Sequence, residues 1–182
     1  TCAVLSNGRV RCWGAGSWGR LGYGNANDIG DNEVPSSVGP VNVGGEVVQI
    51  GGGLDHTCAL LATGKVRCWG YGSVGRLGYG NATTLFSPGG DLDMGGDVRQ
   101  ISVRASSYHA CALLVSGDVR CWGYGSAGEL GYGNTDNIGD GEVPASVGPV
   151  DVGRDGGVVQ VTVGTEHTCA LHSNADVTCW GI

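Results

Sequence analysis

Eight cysteines stand in four pairs, Cys2 and Cys12, Cys58 and Cys68, Cys111 and Cys121, Cys169 and Cys179, with the members of each pair ten residues apart. Thiols at a fixed interval can cross-link, ligate a metal or lie buried as small apolar groups. Zinc sites usually draw cysteines from roughly two to four residues apart, and this wider interval does not bring two sulfurs round one ion. His56, His109 and His167 each sit two positions before the first cysteine of a pair. On a strand such residues share a face without pointing at one spot. A disulfide in each pair is the expected outcome, with metal ligation and buried free thiols as the alternatives. Disulfides persist in oxidising compartments, which points outside the cytosol, to an extracellular, cell-surface or periplasmic setting. Each short loop so closed would add about 2–3 kcal/mol of stability.

Other patterns invite chemistry more weakly. Gly14, Gly16 and Gly19, with counterparts at Gly70, Gly72, Gly75 and at Gly123, Gly125, Gly128, match the G-x-G-x-x-G expression of dinucleotide sites. That motif needs a following helix to offer its N-terminus to a pyrophosphate, and no helical pattern follows, so these glycines read as tight corners. Two acidic loops, with Asp28, Asp31, Glu33 and with Asp136, Asp140, Glu142, resemble calcium loops in composition and are the candidate cation ligands; solvated turns account for the same residues. No other cofactor is implied. Asn81-Ala82-Thr83 is an N-glycosylation sequon, usable where the organism makes such glycans. Trp18 has Val74 and Ala127 at its equivalent positions, so it is an added aromatic and a candidate partner contact. No nucleophile motif and no cluster of ionisable groups breaks the repetition, which argues against an enzyme.

The elements that must position these residues follow from repetition. Residues 1–24 read TCAVLSNGRVRCWGAGSWGRLGYG, 57–80 read TCALLATGKVRCWGYGSVGRLGYG and 110–133 read ACALLVSGDVRCWGYGSAGELGYG; a fourth copy begins at Thr168. The first cysteines recur at intervals of 53 to 58 residues, a variation that belongs in loops. Midway between paired cysteines fall Asn7-Gly8, Thr63-Gly64, Ser116-Gly117 and Asn174-Ala175. A three-residue hairpin loop ends in a left-handed residue, a conformation glycine takes without strain. With Ser6-Asn7-Gly8 as the loop, Leu5 faces Arg9 and Cys2 faces Cys12 on a non-hydrogen-bonded pair, about 4.5 Å between α-carbons. Ala175 should strain its turn or change the turn type. Val47-Val48-Gln49-Ile50, Val98-Arg99-Gln100-Ile101 and Val158-Val159-Gln160-Val161 have the composition of buried strands.

Composition narrows the class. Of 182 residues, 37 are glycine, far too many for a helical protein and without the period of collagen, while 41% hydrophobic residues and 15% charged ones oppose disorder. An all-β protein remains. The net charge of −7 opposes nucleic acid and anionic membranes, and no apolar run is long enough for a membrane span. Thr1 begins inside an ordered motif with no signal-peptide pattern, which reads as a piece of a longer or processed product.

The series HTCAL, G-x-V-x-C-W-G and G-x-x-G-x-L-G-x-G, recurring in register along the chain, resembles the repeat of the regulator of chromosome condensation family. The resemblance implies a β-propeller with four-stranded antiparallel blades, about three and a half of them here. The expected units are 1–46, a blade lacking its first strand; 47–97 and 98–157, full blades; and 158–182, a partial blade. An incomplete ring has open ends, to be covered by further chain or by another copy. The expected function is a non-enzymatic module for protein–protein interaction or scaffolding, with a self-assembling ring or fibre subunit as the alternative. The family's best-known activity, nucleotide exchange on a small GTPase, fits poorly with four disulfides and an acidic chain.

Overall fold

The computed structural model describes residues 1–153 and 157–182; residues 154–156, inside the expected 98–157 unit, lie outside the described residues. Among the described residues eleven strands follow one another: β1 (Cys2–Val4), β2 (Val10–Cys12), β3 (Val47–Gly52), β4 (His56–Leu61), β5 (Val66–Gly70), β6 (Val98–Val103), β7 (His109–Leu114), β8 (Val119–Gly123), β9 (Val158–Val163), β10 (His167–His172) and β11 (Val177–Gly181). They form four antiparallel sheets, β1-β2, β3-β4-β5, β6-β7-β8 and β9-β10-β11, and the only helices among the described residues are three short 3-10 turns. No helix there is long and apolar enough to cross a membrane.

Each hairpin is built by local chemistry. Leu5 N–H donates to Arg9 O and Gly8 N–H to Leu5 O, which closes a three-residue loop with Gly8 at φ 72°. The register that follows puts Cys2 opposite Cys12, Cys58 opposite Cys68, Cys111 opposite Cys121 and Cys169 opposite Cys179. In the fourth hairpin Ala175 is held at φ 71°, so the turn keeps its type and the alanine carries the strain of a left-handed residue.

The outer strand of each blade is less regular than a four-stranded ladder. The chain returns along β2, β5 and β8 and touches each at two equivalent points, with one further bond on β5 from Gly89 N–H to Cys68 O at 3.2 Å. One is an isolated bridge, Gly14 to Ile29, Gly70 to Leu85 and Gly123 to Ile138; the other is a single bond from Val41, Leu92 or Val150 N–H to Val10, Val66 or Val119 O, each 2.8 Å. Between those points lie Pro35 and Pro40, Pro88, or Pro144 and Pro149, residues that cannot donate to a ladder.

The sheets stack face to face in chain order, β4 against β6 and β7 against β9, with the first strands β3, β6 and β9 side by side. This is part of a propeller ring. Strands β4 and β7 are buried on both faces because a sheet lies on either side. In β10 burial alternates: Thr168, Ala170 and His172 face the preceding sheet, and the residues between them are more open. Two recurrent polar links lock neighbouring sheets. Trp69, Trp122 and Trp180 each donate the indole N–H back to the preceding corner, to Arg20, Arg76 and Glu129 O at 2.9–3.1 Å. Forward, the Gln49 amide donates to Ile101 O and accepts from Ile101 N–H, and Gln100 does the same with Val161. A register shift beside Gln49 and Gln100 marks a bulge, the device that re-aims a strand side chain.

Candidate functional site

The paired cysteines are joined as disulfides, Cys2–Cys12, Cys58–Cys68, Cys111–Cys121 and Cys169–Cys179, with α-carbons 4.0 to 4.1 Å apart, and no cysteine is free. Among the described residues no group of three or more His, Cys, Asp or Glu side chains gathers as metal ligands. The acidic loops use several of their carboxylates locally. Asp28 accepts from Gly16 N–H and Glu33 from Gly30 N–H; Asp140 accepts from the Asn137 amide and Glu142 from Gly139 N–H. Asp136 donates its backbone N–H to Asn134 Oδ1, and Asp31 lines the same open cleft as Asp28 and Glu33. Asn81 is exposed and its Oδ1 accepts from Thr83 N–H at 2.9 Å, a turn shared by Asn25 and Asn134.

One end of the sheet stack departs from the repetition. It is formed by the loops before β4, β7 and β10 and by the glycine-rich corners after β2, β5 and β8. Three pairs of positions are equivalent there, a corner residue and the residue just before the next histidine: Arg20 and Asp55, Arg76 and Tyr108, and Glu129 and Glu166, of which the first two bridge successive sheets. In the first, Arg20 Nη1 donates to Asp55 Oδ1 at 2.9 Å and to Leu54 O, while Nε donates to Ala15 O. In the third, two acids would repel, and Glu129 turns into its own corner, buried, accepting from Ala127 N–H at 2.8 Å.

The middle pair is neither. The Arg76 guanidinium lies 4.6 Å from the centre of the Tyr108 ring and 5.0 Å from that of Tyr71, a cation–π sandwich. Trp18 stacks on Tyr71 at 4.6 Å and is 49% exposed, and Tyr124 meets Tyr108 edge-on at 6.2 Å. Arg76 itself is 8% exposed, and its side chain finds no hydrogen-bond acceptor among the described residues; Asp55 Oδ2 stands 3.8 Å from Nη1. Burial pulls the Arg76 pKa down, opposed by Asp55 and the two tyrosines. The corners here are strained: Trp18 at φ 61° and β-branched Val74 at φ 54° are left-handed, while Ala127 at the third corner is not.

Beneath this cluster His56 is fully buried with neither ring nitrogen bonded, and its pKa falls to about 3 through burial, then the charges of Arg76 and His109. Its counterpart His109 bonds Thr168 Oγ1 through Nε2 at 3.0 Å and falls to about 4, through burial and then His167. The difference is one residue: where Thr168 stands on β10, β7 carries Ala110.

Sequence reasoning singled out Trp18 and missed Tyr71, Arg76 and Tyr108. The tyrosine before His109 was visible as a departure from Asp55 and Glu166, and Tyr71 and Arg76 recur in other copies, but which loop meets which corner is a tertiary fact. Chemically the cluster offers cationic, aromatic and hydroxyl groups beside the Asp55 carboxylate.

The repeat described as Regulator of chromosome condensation (RCC1) matches residues 7–60 and 116–171, and a second version of the same repeat matches 47–76 and 98–129. The chain is 34% identical over 180 residues to the Ultraviolet-B receptor UVR8 of Arabidopsis thaliana, covering 98% of this chain and 38% of that protein. Among solved structures it resembles human WBSCR16, with a TM-score of 0.79 at 24% identity over 99% of this chain and 44% of the other. It also resembles Prp20p of Saccharomyces cerevisiae, with a TM-score of 0.69 at 26% identity over 94% of this chain and 41% of the other. The chain thus spans less than half the length of each of these proteins. With over half of its residues matched by the repeat and its sheets stacked as a propeller arc, the chain belongs to the regulator of chromosome condensation repeat family.

Proposed function

We propose that this propeller arc is a non-enzymatic protein-interaction module of an oxidising compartment, extracellular, cell-surface or periplasmic. Units 1–46, 47–97, 98–157 and 158–182 are its blades, each stapled by its own disulfide, and the exposed Asn81 sequon is its glycan acceptor. One observation carries the reading: the corner end of the stack gathers Trp18, Tyr71, Arg76 and Tyr108 into one cluster, and of these Trp18 and Tyr108 have no counterpart in the other copies. Tryptophan, tyrosine and arginine are the residues enriched at binding hot spots. Four disulfides support the compartment, and Prp20p has binding properties to Gsp1p and histones, so this fold takes protein partners elsewhere. Exchange on a GTPase is not favoured by any group on the corner end.

The test uses the disulfide-intact chain as immobilised bait for extracellular or periplasmic proteins from its own source. Capture should fall at least about tenfold with Trp18→Ala and stay unchanged with Lys65→Ala at the opposite end. Equal capture by all three baits would overturn the reading.

Self-association is the second reading, favoured by Gln160. It holds the place of Gln49 and Gln100 but finds no partner among the described residues, on a sheet whose next face is open. Light scattering decides it: a concentration-dependent dimer or fibre supports it, and a monodisperse monomer removes it.

A further inference from the structure

The Arg76 side chain has five N–H donors and, among the described residues, no hydrogen-bond acceptor. Native proteins seldom leave such a group bare, because a buried donor that has lost its water and found no acceptor is destabilising. The stacked rings of Tyr71 and Tyr108 hold the guanidinium in place without satisfying its N–H groups. Nε and Nη1 are enclosed, which leaves Nη2 as the edge open to an incoming group. The hydroxyls of both tyrosines also have no partner among the described residues, so further donors flank that edge.

Charge and shape narrow the ligand. Arg20 and Arg76 share the single carboxylate of Asp55, at 2.9 and 3.8 Å, so the cluster is locally cationic on a chain of net charge −7. The open Nη2 edge, flanked by the two tyrosine hydroxyls, suits a carboxylate, and because a guanidinium also pairs with phosphate, competition by inorganic phosphate separates the two. Trp18 and Leu54, 49% and 40% exposed, offer apolar contact beside it. We propose that Arg76, walled by Tyr71 and Tyr108, anchors a carboxylate side chain from an acidic segment of a partner protein, with an apolar neighbour of that carboxylate packing on Trp18. The proposal rests on the interaction-module reading and names the partner's chemistry. The third corner shows what self-satisfaction looks like: there Glu129 supplies the acceptor from within, and no aromatic sandwich forms.

The experiment follows the side-chain Nε–H resonances of arginine-labelled protein while two probes are added, acetyl-Leu-Glu-Trp-amide and acetyl-Leu-Gln-Trp-amide. The Arg76 signal, identified by its loss in Arg76→Lys, should shift saturably with the glutamate peptide and not with its glutamine analogue. Arg76→Lys keeps the charge and loses the fork, and should weaken binding, read from the other signals, at least about tenfold. Tyr108→Phe, which keeps the ring, should weaken it about threefold through one lost hydroxyl donor. No saturable shift, equal shifts with both peptides, or equal competition by inorganic phosphate would overturn the proposal. Absent peptide binding, with Trp18-dependent partner capture intact, removes the carboxylate anchor and leaves the module reading standing. Peptide binding through Arg76 with capture indifferent to Trp18 does the reverse.

Discussion

The junction between sheets β3-β4-β5 and β6-β7-β8 and the next, between β6-β7-β8 and β9-β10-β11, are built from the same repeat and differ in which polar groups are met. Both have the glutamine link forward and the tryptophan link back. At the later junction the Thr168 hydroxyl donates to Glu129 O and so must accept from His109, which fixes the His109 proton on Nε2. At the earlier one Ala110 has no hydroxyl, His56 is unmet, and Arg76 stands between tyrosines. The groups that recur hold the ring together. Where a neighbour changes between copies, Ala110 for Thr168 and Tyr108 for Asp55, the recurring His56 and Arg76 are left wanting hydrogen-bond partners, and the corner end of the earlier junction reads as the binding surface.

Acid should act most strongly on this contrast. The folded pKa values of His56 and His109, about 3 and about 4, lie below the roughly 6.5 of an unfolded histidine. Their contribution is therefore fully present above pH 6.5 and is lost as the pH falls toward 4 and then 3, at up to about 1.4 kcal/mol per pH unit for each ring. Urea midpoints measured from pH 7 to pH 4 should fall steeply, and ring resonances should show His56 resisting protonation to lower pH than His109. A flat profile would mean that neither ring is buried neutral.

Next in size, Trp122→Ala empties a fully buried site at the earlier junction and should cost about 4 kcal/mol, while Trp180→Ala, on the partly open last sheet, should cost about half as much. Equal losses in denaturant unfolding would show that the last sheet is as well covered as the inner ones. The smallest effect is the most specific. Ala110→Thr rebuilds the later junction in the earlier one, giving His56 a partner, and should stabilise by about 1 kcal/mol. Destabilisation would show that the earlier junction has no room for the hydroxyl and differs in more than one group.

The hairpins were legible to the residue because turn length and a left-handed third position leave a single register, and even Ala175 obeys it. Sheet class and the order of stacking followed from repetition. The outer strand of the blade was an expectation of the family resemblance, which does not reveal how much ladder the prolines of this chain remove. Gln49 and Gln100 were in view as members of a buried strand, but a glutamine that bonds the next sheet looks no different in one dimension from one that faces water. The Arg76 sandwich was hidden for a related reason: Tyr71 and Tyr108 come from different repeats, and only the stacking angle brings both rings to one guanidinium.

Every disulfide closes the hairpin it belongs to, and none joins one sheet to the next. Under tension the sheets are therefore free to part from one another while four small covalent rings stay shut. A chain pulled from its ends would lengthen in steps set by the linkers between rings, never reaching its full contour, and reduction would release the missing length without having been needed to separate the sheets.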